Sequence, residues 1–238
     1  MRISSAIFIC FFLLAACQRD KHLIRTATNG ITIAESPYHW HIQPFNYEFV
    51  GAYLPIYYMG VTADSVGLYD FPLHPWQCYS LDTFYDGYYP MHKAGQIELF
   101  VDTTIVTYYS HTEHKYIADN NEEERITVSH MAYPVFIYNH GDSLFFVGDG
   151  NRIGYTIIEA LDSTGNWVQV VGRHSGGCGT NARQLMLKPN GMLIAKYPIR
   201  SGDTYTRLRL KISRWKDWPV IYSNEFWGWT TFPPHAVL

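Results

Sequence analysis

Residues 206–212 read Thr-Arg-Leu-Arg-Leu-Lys-Ile, and this stretch indicates the fold class more clearly than any other. Three apolar side chains alternate there with three basic ones: Leu208, Leu210 and Ile212 against Arg207, Arg209 and Lys211. Because successive side chains of a β-strand point to opposite faces, the alternation predicts a strand with one buried face. We interpret the basic stripe as the ordinary solvent face of that strand.

The chain around this strand contains three predicted hairpins, each with two apolar segments around a turn rich in Gly, Asn or Asp. Their strands are 135–138 with 144–147, 153–161 with 167–171, and 184–187 with 193–197. A last strand is predicted over 220–226. About seven short strands in roughly 100 residues are typical of an immunoglobulin-like β-sandwich, which we predict over residues 125–238.

The N-terminal half also alternates with a period of two, although less regularly. Strands are predicted over 53–58, 65–69 and 97–109, whereas the polar stretch 111–124 is predicted to be an exposed loop. No segment shows a sustained helical period. We therefore predict an all-β protein with a second β-rich unit over residues 37–124.

Composition excludes several classes of protein. Hydrophobic residues make up 47% of the chain and charged residues only 16%, unlike disordered chains and coiled coils. The 19 Tyr, 18 Gly and 12 Pro favour strands and turns. The net charge of -3 supplies no basic field, so we expect no nucleic-acid partner.

The N-terminus has the pattern of an export signal. Residues 3–14 form an apolar run that is shorter than the roughly 20 residues needed to span a bilayer. The run ends in Leu14-Ala15-Ala16-Cys17, which resembles the lipobox of bacterial lipoproteins. The resemblance implies a signal peptide over 1–16 and acylation of Cys17. An ordinary secretory signal that is cleaved after Ala16 is the alternative.

Residues 17–36 are interpreted as the lipidated cysteine followed by a tether. In bacterial lipoproteins an Asp directly after the acylated cysteine favours retention in the inner membrane, and this chain has Gln18 there. We therefore expect a lipid-anchored protein of the cell envelope, at the outer membrane. Its periplasmic or surface exposure stays open.

Residues 130–230 are similar to a group of uncharacterised lipoproteins of the Bacteroidota. The resemblance is carried by Ala132-Tyr133-Pro134-Val135-Phe136-Ile137-Tyr138-Asn139, Ile158-Glu159-Ala160, Gly165-Asn166-Trp167, Gly177-Cys178-Gly179, Thr206-Arg207-Leu208-Arg209 and Ile221-Tyr222-Ser223-Asn224-Glu225-Phe226. It implies an envelope location and a β-rich fold. It implies no activity and no site residues.

Two cysteines remain once the signal peptide and the lipidated cysteine are set aside. Cys78 and Cys178 lie one hundred positions apart. In an oxidising compartment they can form a disulfide, which would contribute about 4–5 kcal/mol in the chain-entropy model. Two buried free thiols are the alternative, and the sequence leaves both open.

The segment 173–179 is the strongest candidate for catalysis, because His174, Ser175 and Cys178 lie there beside three glycines. A nucleophile, a base and exposed backbone N–H groups are the parts of a hydrolase site. The spacing, however, lacks the Gly-x-Ser-x-Gly pattern of a nucleophile elbow. We interpret the segment as a loop between strands, and we expect no enzymatic activity.

Metal ligands are suggested at three places, none of which has the spacing of a known site. They are His39 with His41, the run His111-Thr112-Glu113-His114, and the acidic residues Asp119, Glu122, Glu123 and Glu124. Zinc sites need three or four converging ligands, and calcium loops need regularly spaced acidic residues around a glycine. We interpret these residues as solvated and expect no metal and no other cofactor.

Aromatic residues are concentrated in two segments, one around Trp76 and Tyr79–Tyr89 and one from Trp215 to Trp229. Burial in the core is the favoured interpretation for most of them. Trp227 and Trp229 have a second interpretation, because alternation around Gly228 places both rings on one face. Pro233 and Pro234 follow, so the rings would form a flat binding platform at the margin of a sheet.

The expected function is that of a lipid-anchored envelope protein acting as a structural or protein-interaction module without catalysis. The expected partners are the membrane, through the N-terminal lipid, and an unidentified envelope protein. A glycan-binding accessory lipoprotein is the alternative, and a hydrolase is the third hypothesis.

Overall fold

The computed structural model describes residues 23–35, 54–68, 96–117, 122–149, 152–172, 184–213 and 218–232. All regular elements in these ranges are β-strands, and the sheets pack against one another. The predicted all-β, sandwich-type fold class is therefore confirmed. Within these ranges no helix is long and apolar enough to cross a membrane.

Sixteen strands follow one another along the described chain. The first six are β1 (Leu23–Thr26), β2 (Thr32–Glu35), β3 (Leu54–Val61), β4 (Ser65–Gly67), β5 (Ile97–Val101) and β6 (Thr107–Ile117). The next five are β7 (Glu122–Asn139), β8 (Phe145–Asp149), β9 (Arg152–Ile153), β10 (Thr156–Leu161) and β11 (Trp167–Val171). The last five are β12 (Gln184–Leu187), β13 (Gly191–Pro198), β14 (Thr204–Ile212), β15 (Ile221–Tyr222) and β16 (Phe226–Thr230).

These strands form four sheets. The largest has six strands in the order β5-β7-β13-β3-β9, with β6 also paired to β7. A five-stranded sheet has the order β11-β10-β14-β15, with β16 also paired to β14. A three-stranded sheet contains β1, β2 and β4, and a two-stranded sheet contains β8 and β12. Of the pairings described, β2 with β4 is parallel and the others are antiparallel.

The six-stranded sheet is the middle of three layers. Residues such as Leu193 and Val135 pack on one of its faces against the five-stranded and two-stranded sheets. Ile194 and Phe136 pack on the other face against the three-stranded sheet. Every residue of β13 is buried as a result, which explains the unbroken apolar run 192–195 in its sequence.

Strand β7 runs through the whole middle sheet and pairs with β5 and β6 in succession along one side. Pro134 lies in its interior, where its carbonyl accepts a hydrogen bond of 3.0 Å from Asp102 N. Pro134 lies between the segments of β7 that pair with β5 and with β6, because β5 has ended and β6 has not begun at this point. No strand there offers a carbonyl that would need a backbone N–H from residue 134, so the missing N–H of proline costs no ladder hydrogen bond. This explains how a central strand accommodates a proline.

The three predicted hairpins have different outcomes. The second is confirmed, because β10 and β11 pair antiparallel across the turn at 162–166. The first and third are wrong as hairpins. β7 pairs with β13 in the middle sheet, whereas β8 pairs with β12 in the two-stranded sheet. Both turns therefore carry the chain from one layer to another.

Asn139 stabilises both of these crossings. Its buried side-chain amide donates to the carbonyls of Ser143, at 2.8 Å, and Leu187, at 2.9 Å. Its side-chain oxygen accepts from Gly141 N, and its backbone carbonyl accepts from Asn190 N. One residue thus satisfies polar groups of both turns that would otherwise be buried without partners.

Two segments that were predicted to be irregular are strands. Residues 23–26 form β1 and residues 32–35 form β2, so they are not part of a tether over 17–36. Ile31, directly before β2, and Ile33, within β2, are buried. The polar stretch 111–124 pairs in register for most of its length, with Lys115 opposite Glu124. Polar side chains do not prevent pairing in a two-stranded ribbon, because the ladder is formed by the backbone.

The predicted boundary at residues 124/125 lies inside β7. β3 and β5, from the predicted N-terminal unit, share the middle sheet with β7 and β13, from the predicted sandwich. Leu54 and Leu99 also belong to the same buried cluster as Leu208. The described parts of both predicted units therefore build one set of layers.

Polar contacts attach the three-stranded sheet to the middle sheet at both ends of the β1–β2 hairpin. At the turn, the Asp102 carboxylate accepts hydrogen bonds from Thr28 N, at 2.5 Å, and from Thr104 Oγ1, at 2.6 Å. Burial acts to raise the pKa of Asp102, but the hydrogen bonds from Thr104 and Thr28 outweigh it, and the pKa is lowered.

At the other end of the hairpin, Glu35 and Lys196 form an ion pair that is buried on both sides. Lys196 Nζ also donates to the carbonyl of Tyr108, at 2.5 Å, and lies 4.0 Å from the centroid of the Tyr57 ring. A cation in a strand with no solvent-facing side needs this set of partners to offset the loss of its hydration.

We expect Lys196→Met to lower the free energy of unfolding by about 3–5 kcal/mol, because the Glu35 carboxylate is then buried without its cation. Urea denaturation of the variant and the wild type measures this difference. The double variant Lys196→Met/Glu35→Leu should recover most of the loss, since it removes both charges. A single variant that loses less than about 1 kcal/mol would contradict this assignment.

Candidate binding surface

The five-stranded sheet has a buried inner face and an outer face that carries exposed side chains, and β14 contributes residues to both faces. Leu208, Leu210 and Ile212 are buried in the cluster shared with the middle sheet, which confirms the one-sided strand predicted from residues 206–212. The residues between them project from the outer face. The side chains of β16, β15, β10 and β11 that lie beside them complete this face.

Three aromatic side chains stand together at one end of the outer face, and we call them the aromatic platform: Tyr205, Trp227 and Trp229. Their exposed fractions are 54%, 56% and 47%. The Tyr205 ring lies 5.5 Å from that of Trp227 at an interplanar angle of 21°, and 5.1 Å from that of Trp229 at 49°. The tyrosine thus stacks on one indole and is tilted against the other. Burial, the favoured interpretation for aromatic residues, is wrong for these two tryptophans.

The inner side of β16 at Gly228 is packed against the core. A Cβ atom on Gly228 would lie 2.6 Å from Leu208 Cδ1. Phe226 is also buried on this side, with its ring edge-on to that of Tyr197 at 5.4 Å. Core side chains therefore support the platform from below.

Charged side chains continue the outer face beyond the platform, and we call them the charged row: Glu159, Arg207, Arg209, Lys211 and Glu225. The nearly buried Glu159 carboxylate accepts from Arg209 Nη2, at 2.6 Å, and from Lys211 Nζ, at 2.8 Å. Arg207 pairs with Glu225 at 2.9 Å in an exposed position. The basic stripe is therefore paired along its length and is not a simple solvent face.

Arg209 is held from both sides by aromatic rings. Its guanidinium carbon lies 4.2 Å from the centroid of Trp167 and 4.2 Å from that of Tyr222. Such contacts add a cation–π attraction to the ion pair with Glu159. The hydrogen bond to Glu159 also raises the pKa of Lys211, so Lys211 stays charged near neutral pH.

This surface offers ring stacking, apolar contact and charge pairing. Seven large hydrophobic side chains are exposed among the described residues, and four of them lie here: Tyr205, Tyr222, Trp227 and Trp229. Trp, Tyr and Arg are the residue types that contribute most to binding energy in interfaces. The composition of the surface therefore suits a binding role.

Several candidate residues from the sequence lie outside the described residues. They are Cys17, Cys78, Cys178, His39, His41, Asp119, Trp76, the tyrosines 79–89, Trp215 and the segment 173–179. Lipidation of Cys17 and the disulfide between Cys78 and Cys178 stay predictions.

His111 lies in β6, where its ring stacks on those of Tyr109, at 5.3 Å, and His130, at 5.1 Å. The neighbouring side chains of Glu113 and His114 are outside the described set. No three His, Cys, Asp or Glu residues of the described ranges lie close enough together to hold a metal ion.

A small cleft lies beside β8, between the turn before β10 and the segment that leads into β15. Its lining is apolar or aromatic and includes Phe146, Tyr155 and Trp218. None of its lining residues is an acid, a base or a nucleophile, apart from the phenol of Tyr155. The cleft therefore provides no support for the hydrolase hypothesis.

Five residues of the surface were predicted to face outward, and the others were missed. Trp227 and Trp229 were predicted as a platform, and the basic stripe Arg207, Arg209 and Lys211 as an ordinary solvent face. Tyr205 stands two positions before Arg207, in the same alternation, so its place on the outer face was readable from the strand pattern. Glu159, Trp167 and Tyr222 belong to other strands and reach Arg209 only through sheet pairing. No local signal points to them.

Comparison of the chain with protein-family models, with curated proteins and with solved structures finds no match. A function must therefore be inferred from the residues and the geometry of this chain.

The double variant Trp227→Ala/Trp229→Ala should keep its melting temperature within about 4 °C of the wild type, because both rings are about half exposed and belong to neither buried cluster. Phe226→Ala, in the same strand, is the matched control. It removes a buried ring worth about 3–5 kcal/mol and should lower the melting temperature by about 6 °C or more. Circular dichroism melts measure both, and the opposite order would place the tryptophans in the core.

Proposed function

We propose that this protein is a lipid-anchored cell-envelope protein that acts as a structural or protein-interaction module. In this proposal a partner docks on the outer face of the five-stranded sheet. The observation that carries it is the aromatic platform, in which Tyr205, Trp227 and Trp229 are exposed together on a packed sheet. Exposed groups of large aromatic residues are typical of sites that bind a partner.

The rigidity of the surface supports this proposal. β14 has neighbours on both sides, and its inner residues are buried in the core. Arg209 is fixed by Glu159 and two rings before any partner arrives. A surface that is ordered in advance loses less conformational entropy on binding, which favours affinity.

The envelope location is proposed from the lipobox resemblance at Leu14–Cys17. Several acyl chains on Cys17 would give stable anchoring, where a single chain gives only marginal binding. β1 begins at Leu23, six positions after Cys17, so the connecting chain spans at most about 22 Å. The proposal therefore places the folded body close to the membrane surface.

Glycan binding is the alternative, and the exposed rings of the platform favour it. An exposed aromatic ring can receive the flat face of a sugar. Tyr205 stacks on Trp227 and is tilted by 49° from Trp229, so the three rings do not form one flat surface. We therefore keep a protein partner as the leading proposal, with no catalysis, no cofactor and no nucleic acid.

Cys17→Ala should abolish metabolic labelling with a fatty-acid analogue, and the protein should stay unprocessed or leave the membrane fraction. Cys78→Ala is the matched control and should keep both the label and the membrane association. Labelling and membrane fractionation in the native host measure the two effects. If the Cys17 variant is still labelled and membrane-bound, the anchor has been assigned wrongly.

The docking role is tested by purifying the protein from cross-linked envelopes and quantifying the proteins that accompany it. Recovery of a specific partner should fall at least about tenfold in Trp227→Ala/Trp229→Ala, because exposed aromatic anchors dominate binding energy. Val61→Ala, which changes a side chain that is 76% exposed elsewhere, should leave recovery unchanged. Equal recovery with all three proteins would contradict the proposal.

A further inference from the structure

Within the part of the chain that the structure describes, β16 is an edge strand with none of the usual protection. Among the described strands it pairs only with β14, over five positions without a register shift. Its sequence, Phe-Trp-Gly-Trp-Thr, contains no charge and no proline. Soluble proteins usually protect such edges with charged residues, proline or a bulge, because an open edge is a template for another strand.

The backbone groups that face the open edge belong to the two tryptophans. Ser223 N donates to the carbonyl of Leu210 at 2.9 Å, so the even-numbered residues of β14 direct their backbone groups toward β15 and β16. In the register that places Leu208 opposite Phe226, the even-numbered residues of β16 pair with β14. Trp227 and Trp229 therefore direct their N–H and C=O groups away from the sheet, to the open edge.

The area of the platform limits what can dock there. Three half-exposed aromatic rings offer about 300 Å² together, since a fully buried ring contributes roughly 150–250 Å². A stable interface between globular proteins needs about 800 Å² from each partner. The rings alone are therefore too small a surface for a second copy of this chain, but they suit a short extended segment.

We propose that an extended peptide segment of a partner protein adds to β16 as a further strand of the five-stranded sheet. This inference rests on the proposed function and specifies how the partner is recognised. The backbone groups of Trp227 and Trp229 would supply ladder hydrogen bonds, and the platform would cover alternate side chains of the peptide. The matching segment has about five residues, with apolar or aromatic side chains at every second position.

A sugar would use only part of this arrangement. It can stack on one exposed ring of the platform, but it has no repeating donors and acceptors to match those of an open strand edge. Both features converge on Trp227 and Trp229, which carry the exposed rings and the open backbone groups. A peptide strand uses both features, and this decides between the two classes of partner.

The probe is a library of random 12-residue peptides displayed on phage, selected on the full-length lipoprotein in detergent micelles. Counter-selection on Trp227→Ala/Trp229→Ala removes peptides that bind elsewhere. Enriched peptides are synthesised, and their Kd is measured on Trp229→Ala and on Trp229→Pro. Both variants lose the indole ring of Trp229. Only the proline variant also loses the backbone N–H of residue 229, which faces the open edge. The hydrogen bonds between β16 and β14 are retained in both variants, because residue 229 does not contribute to them.

Strand addition predicts that Trp229→Pro binds the peptides about fivefold to tenfold more weakly than Trp229→Ala, the value of one lost hydrogen bond. Backbone N-methylation of the peptides gives a second measurement that does not depend on how the proline variant folds. Methylation at alternate residues should abolish binding, and methylation at the residues between them should have little effect.

The outcomes separate this inference from the proposed function. Peptides that bind both variants equally and tolerate N-methylation at every position would overturn strand addition, while a protein partner on the platform would still stand. If no peptide is enriched and a panel of envelope glycans binds in a platform-dependent way, both strand addition and the protein form of the proposed function fail. If no peptide is enriched and no glycan binds, strand addition also fails.

Discussion

Burial of the middle sheet on both faces is the constraint on which the rest of the structure depends. β13 has no solvent-facing side, so its backbone groups must pair within the ladder and its one cation, Lys196, must find a carboxylate. Glu35 supplies that carboxylate from the three-stranded sheet, and the five-stranded sheet covers the opposite face. The positions of the two outer layers thus follow from the apolar and charged side chains of the middle sheet that must be buried or paired.

The same constraint explains why the candidate binding surface lies where it does. The inner face of the five-stranded sheet packs against the middle sheet and is not available to a partner. On this inner face Leu208 lies close to Gly228. Every second residue of β14 and β16 must then face outward. At those positions the chain carries tryptophan, tyrosine and arginine where small polar residues would suffice for solubility. The proposed binding role accounts for that choice, whereas the requirements of the core do not.

Local patterns predicted the strands well and their partners less well. Alternation in 206–212 and the turn at 162–166 were sufficient for β14 and for the β10–β11 hairpin, because both depend on neighbouring residues. The crossings at Asn139 could not be read in this way, since the bonds that decide them join residues 48 positions apart. The ion pair between Glu35 and Lys196 spans 161 positions, and β1 and β2 become recognisable as strands only when their sheet has a surface to cover. Of the binding surface, Trp227 and Trp229 were predicted, and the clamp around Arg209 was not.

The most direct test of the account is a photo-cross-linking comparison in living cells. A benzophenone amino acid replaces Tyr205, at the centre of the platform, in one strain and Val61, which is 76% exposed at another site, in a second strain. If the outer face of the five-stranded sheet is the docking surface, illumination yields a discrete cross-linked product from position 205 and none from position 61. A product from position 61 alone, or from neither position, would contradict the account.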